Sequence, residues 1–490
     1  MHEINAFGEI ILVVGGAFVL AVLASKLTSF LPVPAPAIFL LAAAVASDLF
    51  PGLRDELSIK TVERVGVVAL VMILFDGGMH VGWRRFRGSL VPIGVLGVVG
   101  TFATAILIAV AAALLFDFGW VTAGIVGAAL APTDPAVMFA VLGRREIRGR
   151  SGTILEGESG ANDPVGIALM IAMLDIASHG GGVSFGNVSD FTLEIAVGLL
   201  AGYLGARVLL PFMRTSLPHE GLYPLRTLAV SLVIYGAATV AHGSGFLAVF
   251  VTGVLIGDER APYKSEIESF HRSLASLAEI TVFVALGLTI DLTNVFSSSD
   301  WLRALALGVV LALIARPLVA APLLLPVRLR WGERLFIMWC GLKGAVPILL
   351  AALAVMQGVA HSQRIYEIVF VVVAFSVIAQ GSLVPSVARW LRIPMRTSDL
   401  EPWHISVRLP KEPSGVRRFT VAPRGRAAGE RIEDLPLSER AWIVMLVRDG
   451  EPVRAGGSTE LEPGDEVLVV TGGHDADVLR KLFERQPGTS

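Results

Sequence analysis

Long apolar runs, separated by short polar breaks, occupy the chain from residue 5 to residue 395. A helix needs roughly 20 apolar residues to cross a hydrocarbon core of about 30 Å. The pattern therefore predicts about thirteen membrane spans. They lie near 7–27, 35–50, 61–79, 89–115, 119–142, 153–177, 192–213, 224–241, 244–258, 268–290, 303–326, 333–357 and 365–391.

The pattern changes after residue 395. A polar linker with several prolines covers 396–415, and short apolar alternations follow at 418–421, 441–447 and 466–471. Such alternations, bounded by turn residues, predict strands, and the amphipathic segment 475–484 predicts a helix. The fold class is therefore an all-α polytopic membrane protein, with a membrane domain over 1–395 and a small α+β domain over 416–486.

Composition agrees with this division. The chain is 54% apolar and 17% charged, whereas a soluble protein is about 25% charged. The charged fraction is about 13% up to residue 398 and about 32% beyond it. A net charge of −2 gives no case for nucleic-acid binding. A single cysteine, scattered histidines and no phosphate-binding Gly-rich loop predict no cofactor and argue against an ATP-driven pump.

Basic residues predict the orientation, because Lys and Arg in short loops stay on the cytoplasmic side. With the N-terminus outside, 20 basic residues fall at inner ends of the spans and 5 at outer ends. The small C-terminal domain would then be cytoplasmic. The first apolar stretch follows Glu3 and Glu9 rather than a basic segment, which favours a first span over a removable signal.

A few ionisable residues lie inside the apolar spans. A charge at the bilayer centre costs about 2.5–3.5 kcal/mol on insertion scales, and such residues usually face a pathway or each other. They therefore mark either an ion pathway or ion pairs that lock helices together. These residues are Asp76, Asp134, Glu158, Asp163, Glu279, Arg316 and Lys343.

The fifth span contains Thr133 and Asp134 between two prolines, Pro132 and Pro135. Each proline removes a backbone donor and strains the preceding turn, so the helix should unwind here. Broken helices near the midplane are where secondary transporters bind ions. The alternative is a proline kink with a solvated aspartate.

The sixth span places several polar residues in its first half. Glu158 and Asp163 are five residues apart and lie on different faces, whereas Ser159 and Asp163 are four apart and share one face. The shared face offers a hydroxyl and a carboxylate to one ion. We expect Asn162 to hydrogen-bond neighbouring backbone and hold the broken fifth span. The alternative is that Asn-Asp-Pro caps a helix.

The twelfth span repeats the features of the fifth, with Gly341, Lys343, Gly344 and Pro347 in an apolar stretch. It comes seven spans later, and an odd offset gives the two breaks opposite orientations. The count therefore predicts inverted repeats, with spans 1–6 and 8–13 related to each other.

These motifs resemble the monovalent cation:proton antiporter-1 family, in its NhaP-like group, over nearly all of residues 5–395. The motifs are 75–78 (FDGG), 131–135 (APTDP), 158–164 (ESGANDP), 315–317 (ARP) and 341–345 (GLKGA). The resemblance implies two broken, crossing helices, a bundle that moves against a dimerisation domain, and a homodimer in the bacterial inner membrane.

The resemblance also implies roles for individual residues. Asp163 would take either the cation or the proton, and Glu158 would be held by a basic residue, either Arg316 or Lys343. Asp76 stands where relatives often have Glu, and Lys343 where they usually have Arg; lysine lacks the bidentate fork of arginine. The residues expected around the ion are Thr133, Asp134, Ser159, Asn162 and Asp163.

The C-terminal domain resembles a TrkA-C (RCK-C) domain, most clearly over 461–469. Such domains pair and regulate potassium transport, often through a small ligand such as a nucleotide, and the alternative is a passive folding cap. The function expected is electroneutral exchange of K⁺, or else Na⁺, for protons in pH, cation and volume homeostasis. A ligand-gated cation channel, a regulated K⁺ efflux pathway and a membrane enzyme are the alternatives.

Overall fold

The computed structural model divides the chain into two compact units, Met1–Asp399 and Leu400–Ser490. The structure describes only positions 15, 16 and 19 of the first predicted span. The rest of that span and most of the predicted linker lie outside the described residues. The described ranges are 15–16, 19, 34–49, 58–142, 145–147, 149–178, 185–259, 261–397, 416–423, 425–437, 441–448, 451–453, 455–470 and 476–483.

The described part of the first unit is almost entirely helical. Its longer helices are α1 (Ala35–Leu49), α2 (Ile59–Val81), α4 (Leu90–Phe116), α7 (Arg150–Ser178), α8 (Phe185–Arg214), α9 (Leu222–Val240), α10 (Gly245–Gly257), α11 (Lys264–Leu288), α13 (Asp300–Leu324) and α16 (Ser362–Trp390). The shorter ones are α3 (Trp83–Arg87), α5 (Trp120–Leu130), α6 (Pro135–Leu142), α12 (Leu292–Ser297), α14 (Trp331–Trp339) and α15 (Ala345–Met356).

The predicted spans from the second onward coincide with these helices. Within the described ranges, eight helices are long and apolar enough to cross a membrane, and four shorter apolar helices accompany them. The chain is therefore a multi-pass helical membrane protein. The total of thirteen spans and the inverted repeats stay predictions.

Two spans are broken where the sequence predicts a break. The first stops at Leu130 and resumes at Pro135, and the second stops at Trp339 and resumes at Ala345. By contrast, α7 continues unbroken through Pro164. A single proline disrupts a helix through its missing donor and its ring. The first break has two prolines, and the second has a pair of glycines before its proline.

Close helix packing surrounds these breaks. Helices α2 and α10 approach so closely that a Cβ added at Gly78 would lie 2.5 Å from the Phe250 carbonyl oxygen. The reciprocal position, Gly253, would clash with the Phe75 carbonyl oxygen at the same distance. Helix α11 packs against α1 and α2, and α7 packs against α5.

Short strands complete both units. In the first, β1 (Arg145–Ile147) pairs antiparallel with β2 (Met395–Thr397). In the second, the antiparallel sheet has the order β3-β6-β4-β5, from β3 (Val416–Thr420), β4 (Trp442–Arg448), β5 (Glu451–Val453) and β6 (Glu466–Val470). A helix, α17 (Ala476–Phe483), adds Leu479, Leu482 and Phe483 to its apolar core.

An ion pair closes one end of the small sheet. The Arg448 Nε and Nη2 atoms each donate to a carboxylate oxygen of Asp465 at 2.8 Å. Asp465 is only 1% exposed, and burial alone would raise its pKa. The hydrogen bonds from Arg448 and from the backbone N–H of Glu462 outweigh burial and hold the pKa of Asp465 below its usual value.

Candidate ion-binding site

The two breaks cross and are tied together by hydrogen bonds. The backbone N–H of Asp134 donates to the Leu342 carbonyl at 2.8 Å. The Lys343 Nζ atom donates to the carbonyls of Ala131 and Pro132 at 2.9 and 2.8 Å. These carbonyls end α5, where backbone acceptors lack helical partners and the helix dipole is negative. The lysine therefore neutralises the end of a broken helix, which explains its burial.

Gly344 allows the breaks to approach each other. A Cβ added there would lie 1.8 Å from the Asp134 Oδ2 atom, well inside any van der Waals contact. Only glycine fits at this position without displacing the Asp134 carboxylate, which is half-buried and lines the cavity described below.

Two further polar residues support the second break. Ser376 accepts a hydrogen bond from the Lys343 backbone N–H at 2.9 Å and donates to Gln380 at 3.0 Å. Gln380 in turn donates to the Trp339 carbonyl at 2.7 Å. Both belong to a π-helical stretch of α16, Ser376–Gly381. Sequence reasoning missed them, although two polar residues four apart in an apolar span were a usable signal.

Asn162 holds the first break, but through a side chain. Its Nδ2 atom donates to the Thr133 hydroxyl at 2.7 Å, with both residues buried. The predicted hydrogen bond from Asn162 to neighbouring backbone is therefore wrong, because the acceptor is the Thr133 hydroxyl. The Thr133 hydroxyl of the break thus accepts from a side chain of α7.

Glu158 is neutralised by Arg316. The guanidinium donates to both carboxylate oxygens, at 2.5 and 2.8 Å, and the two side chains are 2% and 5% exposed. This geometry decides between the two basic candidates, because Lys343 points instead at the carbonyls of the first break. A planar guanidinium matches a carboxylate with two parallel bonds, which an ammonium cannot do.

Asp163 has no such partner. It is 5% exposed, and its Oδ1 atom has no hydrogen-bond partner among the described residues. The Ser159 side chain, one turn earlier on the same face, lies beside its carboxylate. Both residues line a cavity of about 840 Å³, whereas Glu158 does not. Ser159 and Asp163 can therefore hold a proton or a cation where they line this cavity.

The cavity is strongly acidic. Its lining includes one histidine, His80, and one arginine, Arg272, and their side chains contact each other at 2.6 Å. Its carboxylates come from α2, α7, α11, the first break and the turn after α10: Asp76, Asp134, Glu156, Asp163, Asp258, Glu268 and Glu279. Excess negative charge in a low-dielectric cleft concentrates cations.

The cavity has an exposed end and a buried end. His80, Asp258 and Arg272 are exposed, whereas Ser159 and Asp163 are buried. Asp76, the accessory candidate, lies half-buried between them, 3.6 Å from the His80 Nδ1 atom. The structure thus brings Asp76, Asp134, Ser159 and Asp163 to one space. Thr133 and Asn162 brace it, and Glu158, Arg316 and Lys343 lie outside its lining.

Comparison with known families assigns both parts of the chain. The family described as "Sodium/hydrogen exchanger, transmembrane" matches residues 15–390, and the family described as "TrkA-C domain" matches residues 416–484. The chain therefore belongs to the sodium/hydrogen exchanger family and carries a TrkA-C domain after its membrane domain.

Individual relatives make the comparison more specific. The chain is 31% identical to the K(+)/H(+) antiporter NhaP of Alkalimonas amylolytica, over 95% of this chain and 82% of that protein. It is 32% identical to the K(+)/H(+) antiporter NhaP2 of Shewanella oneidensis, over 96% and 82%. The sodium proton antiporter MjNhaP1 of Methanocaldococcus jannaschii shares the fold, with a TM-score of 0.65 at 22% identity, covering 80% of this chain and 98% of that one.

Proposed function

We propose that the protein is a cation:proton antiporter in which a monovalent cation and a proton compete for Asp163. The observation that carries the proposal is the contrast within α7: Arg316 neutralises Glu158, while Asp163 lines the acidic cavity and has a buried oxygen without a partner among the described residues. A carboxylate out of water is stable only when a proton, a cation or a basic group compensates its charge.

Exchange follows from this requirement. A bare carboxylate is costly to carry past an apolar barrier, so the site would cross only with a proton or a cation bound. Thr133, Asp134 and Ser159 would supply further oxygens to the cation, and Asn162 would hold Thr133 in place. Because the neighbour of Asp163 is the uncharged Asn162 and Glu158 is already balanced, one site charge is exchanged. We infer a one-for-one, electroneutral exchange.

K⁺ is the favoured cation. The two relatives named as K⁺/H⁺ antiporters match 95% and 96% of this chain, and thus include its C-terminal domain. The Na(+)/H(+) antiporter NhaH of Halobacillus dabanensis matches only 64% of it. We propose that the TrkA-C domain regulates this K⁺ exchange on binding a small ligand such as a nucleotide.

The membrane placement is also a proposal. With the N-terminus outside the bacterial inner membrane, Arg272 and the loop after α10 lie on the cytoplasmic side, so the cavity would open to the cytoplasm. We also propose a homodimer. Thr192–Arg214 is the least buried of the eight candidate spans, since only 28% of its most apolar 18-residue stretch is buried. This span would supply the dimer face.

Proton flux in proteoliposomes tests the function. Vesicles holding the purified full-length chain and a pH-sensitive dye would receive K⁺, Na⁺ or Li⁺ after an imposed pH gradient, across a range of pH. We expect a saturable collapse of the gradient with K⁺ that persists when an ionophore clamps the membrane potential.

The outcomes separate the alternatives. A response to none of the three cations would contradict antiport. A current that grows without saturation and follows the membrane potential would indicate the channel alternative, whereas a preference for Na⁺ would correct only the choice of cation.

A further inference from the structure

We propose that Glu279 is a further ligand of the transported cation, which reaches the ion from the part of the cavity wall that α11 forms. The proposal rests on the antiport function proposed above. It assigns to α11 a direct part in cation affinity, in addition to the residues on the two broken helices and α7.

One face of α11 lines the cavity from its exposed end to its buried end. The lining residues Glu268, Arg272, Ala275, Ser276, Glu279 and Val282 recur every three to four positions, which is the spacing of a single helix face. At 1.5 Å per residue, Glu279 lies about 16 Å further along the axis than Glu268. It is thus the deepest charged residue on this face.

Glu279 is not held by a structural partner there. Its Oε1 atom is shielded from solvent and makes no hydrogen bond within the described residues. Its side chain is only partly exposed, and the lining around it includes Val282, Val346 and Leu349. A buried, unsatisfied carboxylate oxygen is costly, so its presence needs a reason outside static packing.

The carboxylates around it supply that reason. Glu279, Asp134 and Asp163 line the same cavity, and the Oδ1 atom of Asp163 is also unpartnered in a 95% buried residue. Like charges in one water-poor site repel each other. A cation held between these carboxylates removes the repulsion and supplies a partner to the two unpartnered oxygens, Asp163 Oδ1 and Glu279 Oε1.

Glu268 provides a matched contrast on the same helix face. It lines the cavity near the exposed end, and Lys264 pairs with it at 3.5 Å, one turn earlier on α11. Its charge is already balanced. Replacing Glu268 by Gln therefore removes the same charge from the same helix without removing an unpartnered oxygen from the deep end.

The test is cation-dependent proton flux in proteoliposomes that hold the full-length chain, with K⁺ and Na⁺ varied at several fixed pH values. For Glu279→Gln we expect the apparent KM for the cation to rise about tenfold, the loss expected for one charged ligand, with the maximal rate kept within about twofold. Glu279→Asp should recover part of the affinity. Glu268→Gln also removes one carboxylate from the cavity, and it should raise KM by much less than Glu279→Gln does.

The outcomes are distinguishable. An unchanged KM for Glu279→Gln, or an equal fall in rate at every cation concentration, would overturn the inference, and so would an effect confined to the pH profile. Size-exclusion profiles of the variants check that they fold. If the wild-type chain itself shows no cation-driven flux, the proposed function fails rather than the assignment of Glu279.

Discussion

Glu158 and Asp163 lie five residues apart on α7, are almost equally buried, and have opposite surroundings. Glu158 receives both arms of the Arg316 guanidinium, whereas Asp163 lines an acidic cavity and has a buried oxygen without a hydrogen-bond partner among the described residues. Five residues turn the helix by about 140° net, enough to place the two carboxylates on different neighbours. One carboxylate can therefore fix the fold while the other stays free to exchange ligands.

The largest expected effect comes from breaking the fixed pair. In Glu158→Gln the Arg316 charge remains buried without its counter-charge, which should cost about 3–5 kcal/mol of stability. We expect a clear fall in the apparent melting temperature and in the folded fraction recovered in detergent. The double variant Glu158→Gln, Arg316→Met should recover much of the loss. Equal stability of wild type and Glu158→Gln would show that the pair is not structural.

A smaller effect should follow from separating the two breaks. Gly344→Ala places a methyl group against the Asp134 carboxylate, and overpacking of this kind costs about 1–3 kcal/mol. The displaced carboxylate should also weaken cation-driven proton flux. Gly236→Ala on α9 is the control, because no atom lies within 4 Å of the added Cβ. If both variants behave alike, the close approach of the breaks is unimportant.

The Arg448–Asp465 pair extends the comparison to the small domain. The pKa of Asp465 is lower in the folded chain than its usual value of about 4. Its stabilising effect is therefore complete above that value and is lost as the pH falls through the lowered pKa. Asp465→Asn should cost about 1–2 kcal/mol at neutral pH, because a neutral amide replaces a charged acceptor.

Amide exchange in β6 of the full-length chain measures this effect. Exchange rates corrected for their intrinsic pH dependence should rise below about pH 4 in the wild type. In Asp465→Asn the same amides should be faster at neutral pH and should gain little more on acidification. A variant whose corrected rates follow the wild type at every pH would contradict the assigned role.

The smallest effect concerns the brace on the first break. Asn162→Ala removes the hydrogen bond to the Thr133 hydroxyl and should cost about 1 kcal/mol. Because Thr133 then loses its fixed position, apparent cation affinity in flux assays should fall more than the maximal rate. A change in rate alone would argue that Asn162 acts elsewhere.

Much of this site could be predicted from local sequence. The spacing of Ser159 and Asp163 places them on one face, and the prolines around Thr133 and Asp134 predict the break that is seen. Both inferences rely on helix periodicity and proline chemistry, which act within a few residues. Assignment of Asp163 as the exchanging carboxylate remains a proposal.

Long-range contacts could not be predicted in this way. Arg316 meets Glu158 across 158 residues and Lys343 meets Ala131 across 212, and nothing in either local pattern decides which base meets which acid. The wall formed by Glu279 and Arg272 depends on how α11 is rotated against the other helices. The pairing of β1 with β2 likewise joins distant segments too short to show a strand pattern.

Proton release on cation binding tests the competition at Asp163 most directly. Purified wild-type and Asp163→Asn chains in weakly buffered detergent would be titrated with K⁺ while a pH indicator is followed. One carboxylate shared by two ligands predicts the release of about half a proton per chain at saturation when the pH equals the site's pKa, and nearly one proton at lower pH. Asp163→Asn should release none. Equal proton release from the folded variant would contradict the assignment of Asp163.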